Sequence, residues 1–267
     1  MIQLVLHHTE LLVLLDALHV RTLVGLDFTQ LMPATSDERR AALEQGQERL
    51  ALRGLLRREA DGTCTLDSTL LLMAGVLVFP QLAVLTTRKD RTGQAQLWFH
   101  AYSDGLVIEH TLPDAEHHRL MSLPSPAALT ARLLDLWPAP AAPMPTISCV
   151  LPAEILGAVV EAIDAGQHGE AEQLVVAQDL APQARGRLLN TLERRHFSGS
   201  TALLRCDGET ITAARNPGFI VGPQSTWLVS SALPGSALLR LEMIDGPQLQ
   251  GRLTSWMQSL YPLQRAA

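Results

Sequence analysis

Histidine and cysteine are the residues best able to do chemistry in this chain, and their spacing argues against it. His7 and His8 are adjacent, as are His117 and His118, with Glu116 alongside. Neighbours in sequence point to different faces of a helix or strand, whereas metal sites use i,i+4 on a helix or i,i+2 on a strand. These histidines are therefore expected at the surface or at element boundaries, without a metal. His196 and Ser198, in ERRHFSGS, have the types of a base and a nucleophile but no partner motif, and read as a helix-ending turn. Cys64, Cys149 and Cys206 stand singly, without CxxC spacing, and read as reduced core thiols. No GxxxxGK[ST] phosphate loop, GxGxxG turn or GxSxG elbow occurs. The expectation is a protein that is not an enzyme, with no catalytic residue, cofactor or metal.

Charge marks a different kind of site. Arg88, Lys89, Asp90, Arg91, Thr92 and Gly93 fall at the tip of an expected hairpin, where long charged side chains would reach outward from a rigid sheet. This segment is the candidate protein-binding site, with an ordinary solvated turn as the plain alternative. A second candidate is the apolar excess of Ile155, Leu156, Val159, Val160 and Ile163, then Leu174, Val175 and Val176. It is wider than one core stripe requires, so it divides between core and partner.

Composition narrows the partners. The chain has 47% hydrophobic and 18% charged residues and a net charge of −6. Residues 1–137 carry 12 basic against 16 acidic residues, and the remainder carries 9 against 11. Neither half has the cationic excess that nucleic-acid binding draws on, so no nucleic-acid partner is expected. The greasiest run, 70–79, spans ten residues, about half of what a membrane helix needs. The N-terminus lacks a basic leader and places histidines and Glu10 inside its apolar stretch, which predicts a soluble cytoplasmic protein without membrane insertion.

Two similar halves must position these residues. Four prolines in eight residues, from Pro138 to Pro145, fix φ and remove donors, and mark an extended connector over 138–146. Before it, over 1–137, lie a short strand at 2–6, a helix N-capped by Thr9 with Leu11, Leu14, Leu15 and Leu18 on one face, and a helix over 36–53. Gly46 within that second helix weakens it by about 1 kcal/mol relative to Ala, which close packing would explain. Strand-like runs at 82–88, 96–102 and 106–111, separated by turn signals, read as an antiparallel meander, and a helix over 125–137 closes the half. Over 147–267 the plan recurs, with helices near 152–164, 170–179 and 182–195, strands at 201–206, 227–231 and 237–244 around an Asp207-Gly208 and a Pro234-Gly235 turn, and a last helix from about 247. LTARLLDLW from Leu129 and LQGRLTSWM from Leu249 share Leu, Arg and Leu at an offset of 120. With the strand tryptophans Trp98 and Trp227, this suggests internal duplication and an α+β fold of quasi-two-fold design.

The run HTELLVLLDALHV at 8–20, ALRGLL at 51–56 and Leu66 leading a further apolar helix resemble the EspG family, cytosolic chaperones of type VII secretion. By element order the resemblance extends through the meander, the proline-rich middle and the closing helix. It implies a quasi-two-fold α+β fold that binds the helical tip of a PPE-type secretion substrate, through a loop between sheet strands and the second-half helical bundle. By topology that loop corresponds to residues 88–93. The rival is a winged-helix transcription regulator, built from the helix over 36–53, the Asp61-Gly62 turn and the strand-like Thr63 to Leu66. That helix mixes Asp37, Glu38, Glu44 and Glu48 with Arg39, Arg40, Arg49 and Arg53, which suits a solvated surface better than a phosphate backbone. Since no ligand set has metal spacing, chelators are expected to leave thermal stability unchanged; stoichiometric metal in protein purified without an affinity tag would overturn this.

Overall fold

In the computed structural model, which describes residues 1–20, 33–60, 63–208, 210–233 and 235–260, the strand β1 (Gln3–His7) runs without a loop into α1 (His8–Ala17). His7 is the N-cap, a correction to the expectation of Thr9. Its Nδ1 accepts from the Thr9 amide at 3.3 Å, and Glu10 Oε2 accepts from the His7 amide at 2.7 Å. The strand persists to His7, and Glu10 stands three residues later, so the reciprocal capping box forms there and Thr9 falls inside the first turn. Thr9 through Leu15 are all buried, so α1 is a core helix rather than a one-faced one. Across it lies α2 (Ser36–Leu52), capped by a Thr35–Glu38 box. At Gly46 an added Cβ would stand 2.2 Å from the Thr9 carbonyl oxygen and 2.8 Å from Val13 Cγ2, so only glycine permits this helix approach.

The chain continues through β2 (Leu56–Arg58), β3 (Cys64–Leu66), α3 (Ser68–Val78), β4 (Leu82–Asp90), β5 (Ala95–Ser103), β6 (Leu106–Thr111), β7 (His117–Leu123) and α4 (Pro126–Leu136). β2 and β3 pair as a separate antiparallel hairpin, and the Asp61-Gly62 turn expected between them lies outside the described residues. Then follow β8 (Ser148–Pro152), α5 (Ala153–Asp164), α6 (His168–Val176), α7 (Pro182–Glu193), β9 (Phe197–Asp207), β10 (Thr210–Arg215), β11 (Gly218–Val221), β12 (Thr226–Ser231), β13 (Leu238–Ile244) and α8 (Gly246–Leu260). Helices and antiparallel strands together make the fold α+β.

The chain forms two compact units that interleave in sequence: Met1–Leu85, Leu97–Leu129 and Leu203–Ala214 against Thr86–Gln96, Thr130–Ala202 and Arg215–Ala267. In the first unit the strand order is β1-β7-β6-β5-β4, and in the second it is β9-β11-β12-β13-β8. Each series thus follows a strand and three helices, returns its last strand to pair with that opening strand, and leads into a helix. The leucines shared at the 120-residue offset, Leu129 with Leu249 and Leu133 with Leu253, are all buried. The tryptophans do not correspond: Trp98 lies in the second strand of its series and Trp227 in the third. Trp227 instead belongs to a polar cluster, its Nε1 donating to Thr191 Oγ1 at 3.0 Å, which lies 2.6 Å from Ser225 Oγ. The 138–146 segment is neither helix nor strand, and the Pro140 carbonyl accepts from the Gly246 amide at 2.8 Å. Pro234 of the expected turn lies outside the described residues.

Both cores are apolar and continuous. In the first unit Leu6, Leu14, Leu50, Leu70, Leu77 and Phe99 are buried together; in the second Val159, Val175, Leu188, Trp227, Leu241 and their neighbours are. Polar groups enter the first core in pairs. His100 Nε2 meets Glu109 Oε2 at 3.0 Å on adjacent strands, and His110 Nε2 meets His118 Nδ1 at 3.0 Å with the rings stacked. Burial, and then the His118 charge, pushes the His110 pKa down to about 3; burial, then His8 and the neighbouring histidines, pushes His118 down to about 4.

Two outcomes follow from this packing. Gly46→Ala is expected to destabilise the protein by roughly 1–3 kcal/mol, because the overlap with the Thr9 backbone outweighs alanine's intrinsic helix advantage of about 1 kcal/mol; an unfolding midpoint in urea at or above wild type would contradict the close approach. His110 and His118 are neutral in the folded protein, while the unfolded chain protonates histidine near pH 6.5. Their stabilisation is therefore complete above pH 6.5 and is lost as pH falls through the interval down to about 4 and then 3. Within it the unfolding free energy should decline by up to about 1.4 kcal/mol per pH unit for each histidine, and urea titrations that give the same stability at pH 7 and pH 5 would rule this out.

Candidate protein-binding site

The β4–β5 hairpin ends where Asp90 folds the chain over itself. Asp90 Oδ1 accepts from the Thr92 amide at 2.9 Å, the Thr92 hydroxyl at 2.7 Å and the Gln94 amide at 3.0 Å. The Asp90 amide reaches the Gln94 carbonyl at 3.1 Å, and Gly93 takes φ +86°, a left-handed conformation that suits glycine. The Thr92 hydroxyl above all, then the backbone donors, hold the Asp90 carboxyl below the usual carboxylate range, so it stays an acceptor at neutral pH. Three of the six candidate residues, Asp90, Thr92 and Gly93, therefore build the turn.

The three cations divide. Arg88 turns back into the second unit, where its guanidinium carbon lies 4.2 Å from the centre of the Phe197 ring. It donates to Gln96 Oε1 at 2.9 Å and towards the Leu136 carbonyl at 3.4 Å. Burial, and then the charge of Arg132, lower its pKa from the ordinary arginine value. Lys89 and Arg91 are exposed. Strand alternation is the signal that separates them: Thr86, Arg88 and Asp90 share one face of β4, with Thr86 buried, and Lys89 takes the other. The outward reach expected of all three cations is thus carried by Lys89 and Arg91.

The same sorting applies to the apolar helices. Val159, Ile163 and Val175 are buried in the second core, and Ile155, Leu156, Val160 and Leu174 pack against it half-buried. Val176, 49% exposed, is the candidate that stands free of that core. The bundle is tied down at its end by Arg195, itself buried, which donates to the Leu192 carbonyl at 2.8 Å and pairs with Asp164.

Elsewhere, chemistry-bearing side chains are used for structure. The sequence-adjacent histidines partner across strands: His7 stands opposite His117 in the β1–β7 ladder, and His118 joins His110. Among the described residues no group of three or more His, Cys, Asp or Glu side chains is placed to hold a metal ion. Ser198 pairs with Ile220 in the β9–β11 ladder, and the His196 amide donates to the Val221 carbonyl at 2.8 Å, which makes this segment a strand entry. All three cysteines are free thiols; Cys149 is buried and its pKa is pushed up to about 11 by burial, Cys206 is half-buried, and Cys64, expected in the core, is exposed on the β2–β3 hairpin. No helix among the described residues is long and apolar enough to cross a membrane.

No protein-family model matches this chain, and no curated protein does. Among solved structures it is similar to the Mycobacterium tuberculosis type VII secretion system chaperone EspG5, in the structure of that chaperone in complex with a PE25-PPE41 dimer. The TM-score is 0.67 at 10% sequence identity, and the match covers 96% of this chain and 96% of that one. The chain has an EspG-like α+β fold.

Proposed function

We propose that the protein is a cytoplasmic chaperone or adaptor of a type VII secretion system, which binds a helical, PPE-like secretion substrate and keeps it soluble. The observation that carries this reading is the sharing of one fold, over nearly the whole of both chains, with a chaperone seen holding a PE–PPE dimer. The β4–β5 tip and the α5–α7 helices supply the contact. Lys89 and Arg91 offer unspent cations on a turn already ordered by Asp90, so their presentation costs little entropy on binding. The half-buried rim of Ile155, Leu156, Val160 and Leu174, with exposed Val176, offers apolar area in the same unit. We also propose that residues 1–137 and 147–267, on either side of the 138–146 connector, descend from one duplicated element series. For the regulator, α2 and the β2–β3 hairpin do stand in the necessary order, but Arg39 is paired with Asp16, Arg40 with Asp37 and Arg53 with Glu10, so that Arg49 alone among the described arginines of α2 is unpaired, too little for a basic face.

Co-expression with PPE-like proteins of the same host, followed by size-exclusion chromatography, tests the assignment: a co-eluting complex is expected, and its absence with every such protein would refute it. The double variant Lys89→Glu/Arg91→Glu should slow association at least tenfold at low salt and flatten its salt dependence. Its stability should stay within about 0.5 kcal/mol per substitution, because both side chains are exposed. Equal association rates for variant and wild type would remove the tip from the interface.

A further inference from the structure

A cleft of about 370 Å³ opens in the first unit between the end of α2 and the β1–β7 ladder, lined by Val5, His7, Glu10, Arg49, Leu52, Arg53 and His117. Its charges are unevenly matched. Glu10 is buried and fully engaged: both carboxylate oxygens lie 2.8 Å from Arg53 Nη1, and Oε2 also takes the His7 amide. Arg49 lines the same cleft, is exposed, and has no hydrogen-bond or ion-pair partner among the described residues. The ladder register places Arg119 opposite Val5, on the face that His7 and His117 share. Two further carboxylates stand nearby, both exposed: Glu116, 3.9 Å from His7 Nε2, and Asp114, already bonded to His117 Nδ1 at 2.9 Å.

His7 contributes a fixed donor. Its Nδ1 accepts from the Thr9 amide as the α1 cap, which leaves the ring proton on Nε2. Beside these groups the cleft exposes apolar surface that the fold does not use: Leu52 is 89% exposed and Val5 40%. An unpaired guanidinium, a ring N–H donor and two apolar walls in one concavity match a group with a negative, planar, two-oxygen acceptor next to hydrocarbon.

We propose that this cleft binds a carboxylate flanked by apolar residues, with Arg49 and His7 Nε2 holding the carboxylate and Val5 and Leu52 receiving the neighbouring side chains. The carboxylate comes from an acidic side chain or from a chain terminus, chemically alike at the guanidinium. The site shares no residue with the β4–β5 tip and is independent of the chaperone reading.

The test is an amide-resolved NMR titration of the full chain with acetyl-Leu-Glu-Leu-amide and its Gln counterpart, and with leucyl-leucine carrying a free or an amidated terminus. Saturable shifts at Val5, Arg49, Leu52, Arg53 and His117 are expected with at least one of the two carboxylate ligands, and an affinity at least fivefold lower for its neutral partner. The pair that shows the difference identifies the source of the carboxylate. Arg49→Gln should weaken the same ligand at least fivefold while leaving the unfolding midpoint unchanged, because Arg49 is exposed and makes no bond that the fold needs. Equal binding of acid and amide in both pairs, retention of affinity by Arg49→Gln, or shifts confined to other segments would each overturn the assignment.

Discussion

The second unit is organised around one buried indole. Trp137, at the end of α4, is fully buried and donates from Nε1 to Thr201 Oγ1 at 2.7 Å; that hydroxyl in turn lies 3.0 Å from Thr86 Oγ1. Its ring stacks on Phe219, with centroids 4.5 Å apart, and tilts against Phe197 at 6.0 Å. Strands β9 and β11 and the exit of α4 thereby meet at one side chain, and β4 joins them through the Thr201 hydroxyl. An indole N–H left unpaired in such a place would cost about 1–3 kcal/mol, so the position of Thr201 is as constrained as that of the ring. Gly199, two residues before Thr201, completes the arrangement, since a Cβ there would lie 1.9 Å from the Thr87 carbonyl oxygen. The tip depends on the same constraint: Arg88 follows Thr87 directly and rests on Phe197, so the packing that fixes Trp137 also fixes the base of the hairpin.

Much of this is legible in the sequence where the signal is local. The start of α2 at Ser36, the leucines of α4 and α8, the hairpin turn at Asp90 and Gly93, and the apolar periodicity of α5 all lie within a few residues of the structure they specify. The strands missed include β10 and β11, where Ile211, Thr212, Phe219, Ile220 and Val221 do favour a strand, and also β7 and β8, where the local preference is weak. HHRLMSL, which forms β7, contains no β-branched residue; it is a strand because β1 and β6 pair with it on either side. β8 is five residues ending in Pro152, and it exists because β13 supplies a ladder from Ser148 to Pro152. Thr9 has a favourable capping type, but the extension of β1 to His7 moves the helix start two residues earlier. At β7, β8 and the start of α1 tertiary pairing overrides an intrinsic preference, as β-propensity in particular allows.

The candidate site shows the same division between near and far. Its charge and its turn are visible in six consecutive residues, whereas the fate of Arg88 depends on Phe197, which the sequence places far from it. The apolar excess of α5 and α6 is likewise a correct count with an incomplete meaning. A helix that must contact two other helices and a sheet needs more than one apolar stripe, and Ile155, Leu156 and Val160 fill that need at the core margin.

This sorting changes how a partner could be held. Half-buried leucines and valines at a core margin offer less free apolar area than fully exposed ones, at about 25 cal/mol for each Å² removed from water. A partner must therefore cover many of them at once, which favours a long, regular surface such as a helix pair over a short peptide. Orientation then becomes the problem, because a shallow rim constrains direction poorly. In the proposed mode of binding Lys89 and Arg91 would address it, since cations on a pre-ordered turn act over a Debye length of about 8 Å at physiological ionic strength, before the apolar surfaces meet. Arg88 cannot share that role without leaving Phe197. One strand thus commits alternate residues to opposite duties, Arg88 and Asp90 to the construction of the tip and Lys89 to its exposed face.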